Sequence, residues 1–463
     1  MKVASLMRSP TVTLVVCLLA LAAWSPARAD GHQELRPADH VVLISVDGLR
    51  PEFYLDPTWP APMLQQMVAE GAHAKTVRGV YPTVTYPSHT TMITGAVPAR
   101  HGIHYNSPFE PGGQTGRWYW ESSLIQVPTV WDAAREAGLE TANLGWPVSV
   151  GAPVDLNLPE IWSLDPEVTF IEKLKRETRP PGLFEEIERE ATGRLTGDNF
   201  TIDHMTRDDR AGGAAAYLLE RHRPNLMTVH LLATDHFQHE IGREGWLVRR
   251  AVAVVDRAIA QMVEAAERAG ILDRTAFIVT GDHGHVDIHT TLAPNVWLAE
   301  AGLLEAAADR GRWRAAFHTT GASAFLHLAD PNDREAVAEV RKILDAQPPG
   351  VRRLFRVQER DELDRLGAAP DAALALALTP GINASSRAEP PAVRPARGAT
   401  HGYVSDFPEI YTGFVGYGAG FRPGAVAPRL HLADTAAIIA HLLALDLETP
   451  DGLAPPGLLS SLP

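Results

Sequence analysis

The stretch Val41-Val-Leu-Ile-Ser-Val46, followed at once by Asp47-Gly48, decides how the rest of the chain is read. Its apolar residues run on without alternation, so the strand it predicts is covered on both faces. Four further runs share this character: Thr141–Leu144, Leu226–Leu232, Ala276–Thr280 and Ile410–Gly416. Amphipathic helical patterns separate them, at Val130–Ala137, Asp208–Arg221, Leu247–Ala269 and Leu432–Leu443. Alternating β and α segments predict an α/β fold with a doubly wound, mostly parallel central sheet flanked by helices. Sheets of this kind gather reactive residues just beyond the C-terminal ends of their strands.

With 463 residues, 45% hydrophobic and 21% charged, the chain has ample material for a large core. That composition excludes a wholly disordered, collagenous or disulfide-framework protein. The 42 Lys and Arg against 56 Asp and Glu give a formal charge of -14, which repels phosphate backbones. No nucleic-acid-binding patch is expected from this balance. Residues 1–29 read as a cleaved signal peptide: Lys2 and Arg8, an apolar run from Thr11 to Trp24, then Ala27-Arg-Ala29. Cleavage between Ala29 and Asp30 would send the chain to the periplasm or outside the cell. It would also remove Cys17, the single cysteine, leaving no thiol chemistry. No later stretch has the ~20 apolar residues of a membrane span. Residues 38–450 read as one domain, with insertions near 151–203 and 329–398 that could roof a site. The second holds a helix pattern and a strand pattern at Ala372–Leu378. No internal repeat of 20–50 residues is present.

Several of the strand patterns run into metal-type ligands. Val41–Val46 ends in Asp47; Leu226–Leu232 runs into Asp235 and His239; Ala276–Thr280 ends in Gly281-Asp282-His283-Gly284. His401 stands shortly before the Ile410 run. Each alone reads as a helix cap, a turn residue or a local charge pair. Together they supply three Asp and three His, a mixed oxygen and nitrogen set that favours zinc or a similar transition metal. Two such ions ~3.5–4 Å apart clamp the attacking and leaving oxygens of a displacement at phosphorus.

A nucleophile is offered by Tyr81-Pro-Thr-Val-Thr-Tyr-Pro-Ser-His-Thr-Thr-Met-Ile-Thr-Gly95. Its hydroxyls crowd the start of a helix pattern at Pro87–Ile93, where N–H groups and the dipole favour an anion. A metal-bound threonine there loses its proton readily enough to attack phosphorus. The plain reading of the same residues is a Ser/Thr-rich helix start.

These residues resemble the nucleotide pyrophosphatase/phosphodiesterase (type I phosphodiesterase) family of the alkaline phosphatase superfamily. The matching stretches are Ser45–Arg50, Tyr81–His89, His101-Gly-Ile-His-Tyr-Asn106, Asp235-x-x-x-His239, Gly281–Gly284 and His401-Gly-Tyr403, in family order. The resemblance implies an alkaline phosphatase-like fold and a two-Zn²⁺ hydrolase, with Mn²⁺ or Co²⁺ as other possible ions. Asp235, His239 and His401 would hold one zinc; Asp47, Asp282, His283 and Thr85 the other. Thr85 would be the nucleophile that is transiently phosphorylated. Asn106 and the Thr85 backbone N–H would bind the non-bridging phosphate oxygens. Tyr86, Ser88 and Val84 depart from common residues of the family without touching a ligand position. His236, His285 and His289 lie beside ligand candidates and are read as outer or surface residues.

The expected substrate is a small phosphodiester or pyrophosphate, nucleotide-type or related. Tyr86, Tyr105, Phe109, Trp118, Tyr119, Trp120 and Trp146 offer surfaces for a base or a choline-like group, or are simply core. A phosphomonoesterase shares the metal frame and adds an arginine and a third metal site. Arg50, Arg78 and Arg100 leave that alternative open. A phosphonate hydrolase of the same frame relies on lysines, of which only Lys75 lies near a motif. A sulfatase requires a C/S-x-P-x-R setting that Thr85-Tyr-Pro-Ser-His lacks. Neither G-x-S-x-G nor G-x-x-x-x-G-K-[ST] occurs, and Gly416-Tyr-Gly-Ala-Gly420 reads as a turn. The non-enzyme alternative is a periplasmic zinc-binding protein, which has no use for a hydroxyl at Thr85.

Overall fold

The computed structural model describes residues 36–110, 115–305 and 312–460. The expected signal peptide lies outside the described residues. A nine-stranded sheet forms the centre of the fold. Its strands are β1 (His40–Val46), β2 (Ala72–Arg78), β3 (Thr141–Leu144), β4 (Leu156–Leu158), β5 (Leu226–Leu231), β6 (Thr275–Thr280), β7 (Thr412–Gly418), β8 (Val426–Ala427) and β9 (Leu430–His431). Their order is β8-β2-β7-β6-β1-β5-β3-β4, with β9 also on β2. Pairings β6-β1-β5-β3-β4 are parallel, while β7 runs antiparallel to both β6 and β2.

Successive side chains of the parallel strands feed two separate cores, as the period of two requires. Val42, Ile44, Val46, Met227, Val229, Phe277 and Val279 pack on one face against the helices His204–His222 and Trp246–Arg268. Val41, Leu43, Leu226, Ala276 and Ile278 pack on the other, against the helices Thr85–Thr94, Val130–Glu136 and Asp434–Leu443. This is why β1 reads as an unbroken apolar run. The strand expected at Ile410–Gly416 begins two residues later, because Pro408–Ile410 form a short 3₁₀ turn. Since β7 runs opposite to its neighbours, the chain enters it at the edge where β1, β5 and β6 end. A residue ahead of β7 can therefore sit beside residues that follow the parallel strands.

Residues 151–203 contribute β4 and the helices Phe170–Glu177 and Leu183–Ile187, which pack into the first core. A second, four-stranded antiparallel sheet has the order Phe355–Gln358, Leu374–Leu378, Ser323–Leu328, Ala315–Thr320. The turn between its last two strands holds Gly321 at φ +55, where a Cβ would lie 2.2 Å from the His401 carbonyl oxygen. Glycine is required there by conformation and by contact alike.

The helix Ala233–Ile241, which carries Asp235 and His239, is tied at its start by a residue of another helix. Asp208 is fully buried and accepts from the N–H groups of Leu232 (2.9 Å) and Ala233 (2.7 Å). Arg207 supplies its countercharge at 2.9 Å. Removing the carboxylate leaves two donors and a buried cation without partners. Asp208→Ala is expected to cost about 3–5 kcal/mol, read as a lower urea midpoint, with Asp208→Asn losing less because it keeps an acceptor.

Candidate active site

The ends of β1, β5 and β6 converge on one volume, and His401 reaches it from the approach to β7. Pairing of Ala399–Thr400 with Val286–Asp287 brings His401 alongside the Asp282–His285 segment. Its Nδ1 lies 2.9 Å from the Thr83 carbonyl, so Nε2 faces inward. His239 is held in the same manner by the Ala399 carbonyl at 2.8 Å. The two inward nitrogens are 3.1 Å apart. Asp235 Oδ1 lies 3.3 Å from His239 Nε2, 3.7 Å from His401 Nε2 and 3.0 Å from His285 Nε2. A second group adjoins it: His283 Nε2 lies 3.1 Å from Asp282 Oδ2 and 3.5 Å from Asp47 Oδ1. Asp235, His239, His285 and His401 can hold one metal ion, and Asp47, Asp235 and His283 have donor atoms close enough for another.

The donor atoms fit such ions because nothing else satisfies them. Asp47 Oδ1, Asp235 Oδ1, Asp282 Oδ2 and His283 Nε2 are all buried without a hydrogen-bond partner. A buried polar atom left unpaired costs about 1–3 kcal/mol, and more when charged. The other carboxylate oxygens are occupied: Asp282 Oδ1 accepts from Gly48 N–H (2.9 Å) and His283 N–H (3.0 Å). Asp47 Oδ2 is 3.2 Å from His230 Nε2.

Without metal, burial pushes Asp282 up to about 7. Burial, then the charges of Asp235 and Asp282, raise Asp47 well above the ordinary range. Burial also works upward on Asp235, yet the adjoining imidazoles of His239 and His285 hold it well below its ordinary value. His239 moves the opposite way, to about 9, because the Asp235 carboxylate outweighs the effect of burial. Burial keeps His401 neutral down to about 3.

Thr85 is the first residue of the Thr85–Thr94 helix, whose end is closed by Gly95 at φ 66. The hydroxyl-rich sequence is internally satisfied, with Thr90 and Thr94 donating to the carbonyls four residues earlier, each at 2.8 Å. As a first-turn residue, Thr85 has no helical acceptor for its own N–H. His89, one turn on, donates from Nδ1 to the Thr85 carbonyl at 2.8 Å and lies 3.8 Å from Asp282 Oδ2. Asn106 Oδ1 accepts from Tyr86 N–H at 2.9 Å, which places Asn106 beside Thr85. Thr85, Asp47 and Asp235 share a cavity of about 380 Å³ with Trp118, Trp162, Phe170, Phe200, Leu144 and Glu160.

The structure thus brings Asp47, Thr85, Asn106, Asp235, His239, Asp282, His283 and His401 to one site. Of the flanking histidines, His289 is exposed, His236 stacks on His204 at 3.8 Å, and His285 is fully buried in the cluster. Trp118 lines the cavity and meets Tyr86 and Trp162 edge-on, each at 5.0 Å. Tyr105 and Phe109 instead pack around His318 and His327. Sequence reasoning missed His230 and Glu160. His230 joins Asp47 to Glu160, whose Oε2 is 3.2 Å away, and Tyr86 donates to the other Glu160 oxygen at 2.7 Å. The one available signal was a histidine inside the apolar run of β5.

Fold and site together define an α/β protein with a cluster at its strand ends that could hold metal ions. Residues 41–404 match the family described as type I phosphodiesterase / nucleotide pyrophosphatase, and the chain belongs to it. It is 25% identical to ectonucleotide pyrophosphatase/phosphodiesterase family member 7 of Homo sapiens over 291 residues, 60% of this chain and 54% of that protein. It is also 25% identical to family member 3 of Rattus norvegicus, over 53% of this chain and 24% of that protein. The chain therefore matches about half of the first relative's length and a quarter of the second's. Among solved structures, human ectonucleotide pyrophosphatase/phosphodiesterase 5 superposes with a TM-score of 0.67 at 18% identity, covering 91% of this chain and 100% of that one. An inactive threonine-to-alanine form of the murine protein in complex with AMP gives a TM-score of 0.63 at 18% identity, with the same coverage. These structures share the fold.

Asp282 gives a pH test in the metal-free protein. Its carboxyl sits near 7 when folded against 3.8 ordinarily, so its stabilising share is complete below pH 4 and is lost as pH rises through 7. In chelator, Asp282→Asn is expected to gain stability relative to the parent between pH 4 and 7, with the gap level above. Urea denaturation at stepped pH measures it.

Proposed function

We propose that the chain is an exported, metal-dependent hydrolase of phosphodiester or pyrophosphate bonds, acting through a phosphothreonine at Thr85 on a two-zinc centre. The observation that carries this reading is the convergence of three unsatisfied aspartate oxygens and an unsatisfied imidazole nitrogen beside Thr85. Asp235, His239 and His401 would hold one ion, and Asp47, Asp282, His283 and Thr85 the other. Bound zinc, or Mn²⁺ or Co²⁺ in its place, supplies charge that acidifies the threonine hydroxyl and neutralises the phosphate. The basic, then apolar, then A-x-A order of residues 1–29 supports export. Among the described residues no helix is long and apolar enough to cross a membrane.

The chain's own residues account for the remaining steps. Thr85 Oγ1 gives up its proton and bonds to phosphorus as the bond from phosphorus to the ester oxygen of the departing group breaks, and that oxygen takes up a proton from solvent as the alcohol leaves. Water then attacks the phosphothreonine and restores the hydroxyl. Asn106, with Oδ1 engaged by Tyr86 N–H, keeps its amide hydrogens for a non-bridging phosphate oxygen, alongside the Thr85 N–H. The walls of Trp118, Trp162, Phe170 and Phe200 suit an organic ester group larger than a proton, which favours a diester over a monoester. Nucleotide-type diesters and related small esters fit this description.

The test is hydrolysis of a paired chromogenic diester and monoester by zinc-loaded protein. The diester is expected to be preferred, and a chelator to abolish turnover that added zinc restores. Thr85→Ala is expected to lose several orders of magnitude in kcat while still binding metal. Full turnover in that variant overturns the nucleophile, and a monoester preference overturns the diester reading.

A further inference from the structure

We propose that His327 is a positioning residue for the hydrolysis, clasping the chain on both sides of Asn106 and so setting the amide that would meet a phosphate oxygen. This rests on the reading of Asn106 as a phosphate-binding group, and it gives the second sheet a part in the reaction.

Residues 102–110 form neither helix nor strand, so no ladder of backbone hydrogen bonds fixes where Asn106 stands. Two of its own atoms are held: Oδ1 accepts from Tyr86 N–H at 2.9 Å, and its carbonyl accepts from Tyr119 N–H at 3.2 Å. Its neighbours in sequence are held by one ring on the strand Ser323–Leu328. His327 Nε2 lies 3.2 Å from the Tyr105 hydroxyl, and Phe109 stacks on the same imidazole at 4.2 Å with the planes 7° apart. The residue before Asn106 and a residue three after it thus share a single anchor. Tyr105 and His327 are both buried. Phe325, two residues earlier on the strand, packs 5.1 Å from the Tyr105 ring and 5.3 Å from that of Tyr81, in the segment leading to Thr85.

The ring is set for this task. Its Nδ1 faces the Asp371 carboxylate, with Oδ2 at 3.5 Å, which favours the proton on Nδ1 and leaves Nε2 to accept. Tyr105 is therefore the donor. Burial keeps His327 neutral down to about 4, so the acceptor persists through the neutral range. Parting the pair would strand a buried hydroxyl and a buried ring nitrogen together. Tyr105, Phe109, His327 and Asp371 do not line the cavity that holds Thr85. Their route to the reaction is the placement of Asn106, and a donor misplaced by about 1 Å can cost on the order of 100-fold in rate.

A double-mutant cycle on the zinc-loaded full chain tests this, with diester hydrolysis as the readout. Asn106→Ala is expected to lower kcat by about 10²–10³-fold. His327→Leu is expected to lower kcat by about 10–100-fold at nearly unchanged KM and full zinc content, and to cost nothing further where Asn106 is already alanine. His327→Gln keeps an acceptor for Tyr105 and recovers part of the loss. Should His327→Leu fail to fold, Tyr105→Phe removes only the hydroxyl and runs the same cycle. An equal loss with and without Asn106 overturns the proposal, as does a parental rate in His327→Leu or Tyr105→Phe. A parental rate in Asn106→Ala overturns the reading of Asn106 and the positioning role with it. Absence of diester turnover in the unaltered chain overturns the proposed function itself, and this inference with it.

Discussion

Asp47, Asp235 and Asp282 reach a single volume from the ends of three parallel strands, and each is left with a buried oxygen that no protein group satisfies. Like charges brought together in low dielectric repel strongly, so such an arrangement persists only with a compensating cation or by staying protonated. Without such an ion the second resort applies: burial drives the Asp47 and Asp282 carboxyls upward, while the neighbouring imidazoles hold Asp235 low and its carboxylate raises His239. A proton on an imidazole then does what a metal ion does better, because an ion can serve several oxygens at once.

The rest of the fold restrains the groups that this repulsion would push apart. Asp208 anchors the helix that bears Asp235 and His239. His230 grips Asp47 from behind and is itself backed by Glu160. Thr83, two residues before Thr85, accepts from His401 and from the Gly402 N–H, so one loop positions Thr85 and His401 together. The second sheet presses Gly321 against His401 from the other side. Of these groups, Asp47, His230 and Glu160 also line the cavity, whereas Asp208, Gly321 and His401 act from outside it.

What the sequence disclosed follows from how locally each feature is encoded. β1, β5 and β6 were legible because both their faces are buried, which leaves an apolar signature in the strand itself. β2 was not, since Ala72–Arg78 alternates buried and open positions and carries His73 and Lys75. Of the second sheet only Ala372–Leu378 showed, where the strand is Leu374–Leu378. Three residues of β4 are too few for any pattern. Asp47, Asp235 and Asp282-His283 stand out because they follow strands, so their place is written beside them. His230 and Glu160 are 70 residues apart in sequence and meet only through the tertiary fold. Trp162, Phe170 and Phe200 come from a stretch without period, and no rule of spacing aims them at one cavity.

The antiparallel strand β7 also governs the order in which this molecule can be finished. It lies between β2 and β6, yet it comes from the last fraction of the chain to be synthesised. Until it emerges, β2 has no place beside β6, and the contact of Thr83 with His401, spanning 318 residues, cannot form. The nascent polypeptide therefore holds an open-edged half sheet, prone to pairing with other chains. Closure of the sheet and assembly of the carboxylate and histidine cluster become a single late event, so that a polypeptide released early is a sheet with its middle missing.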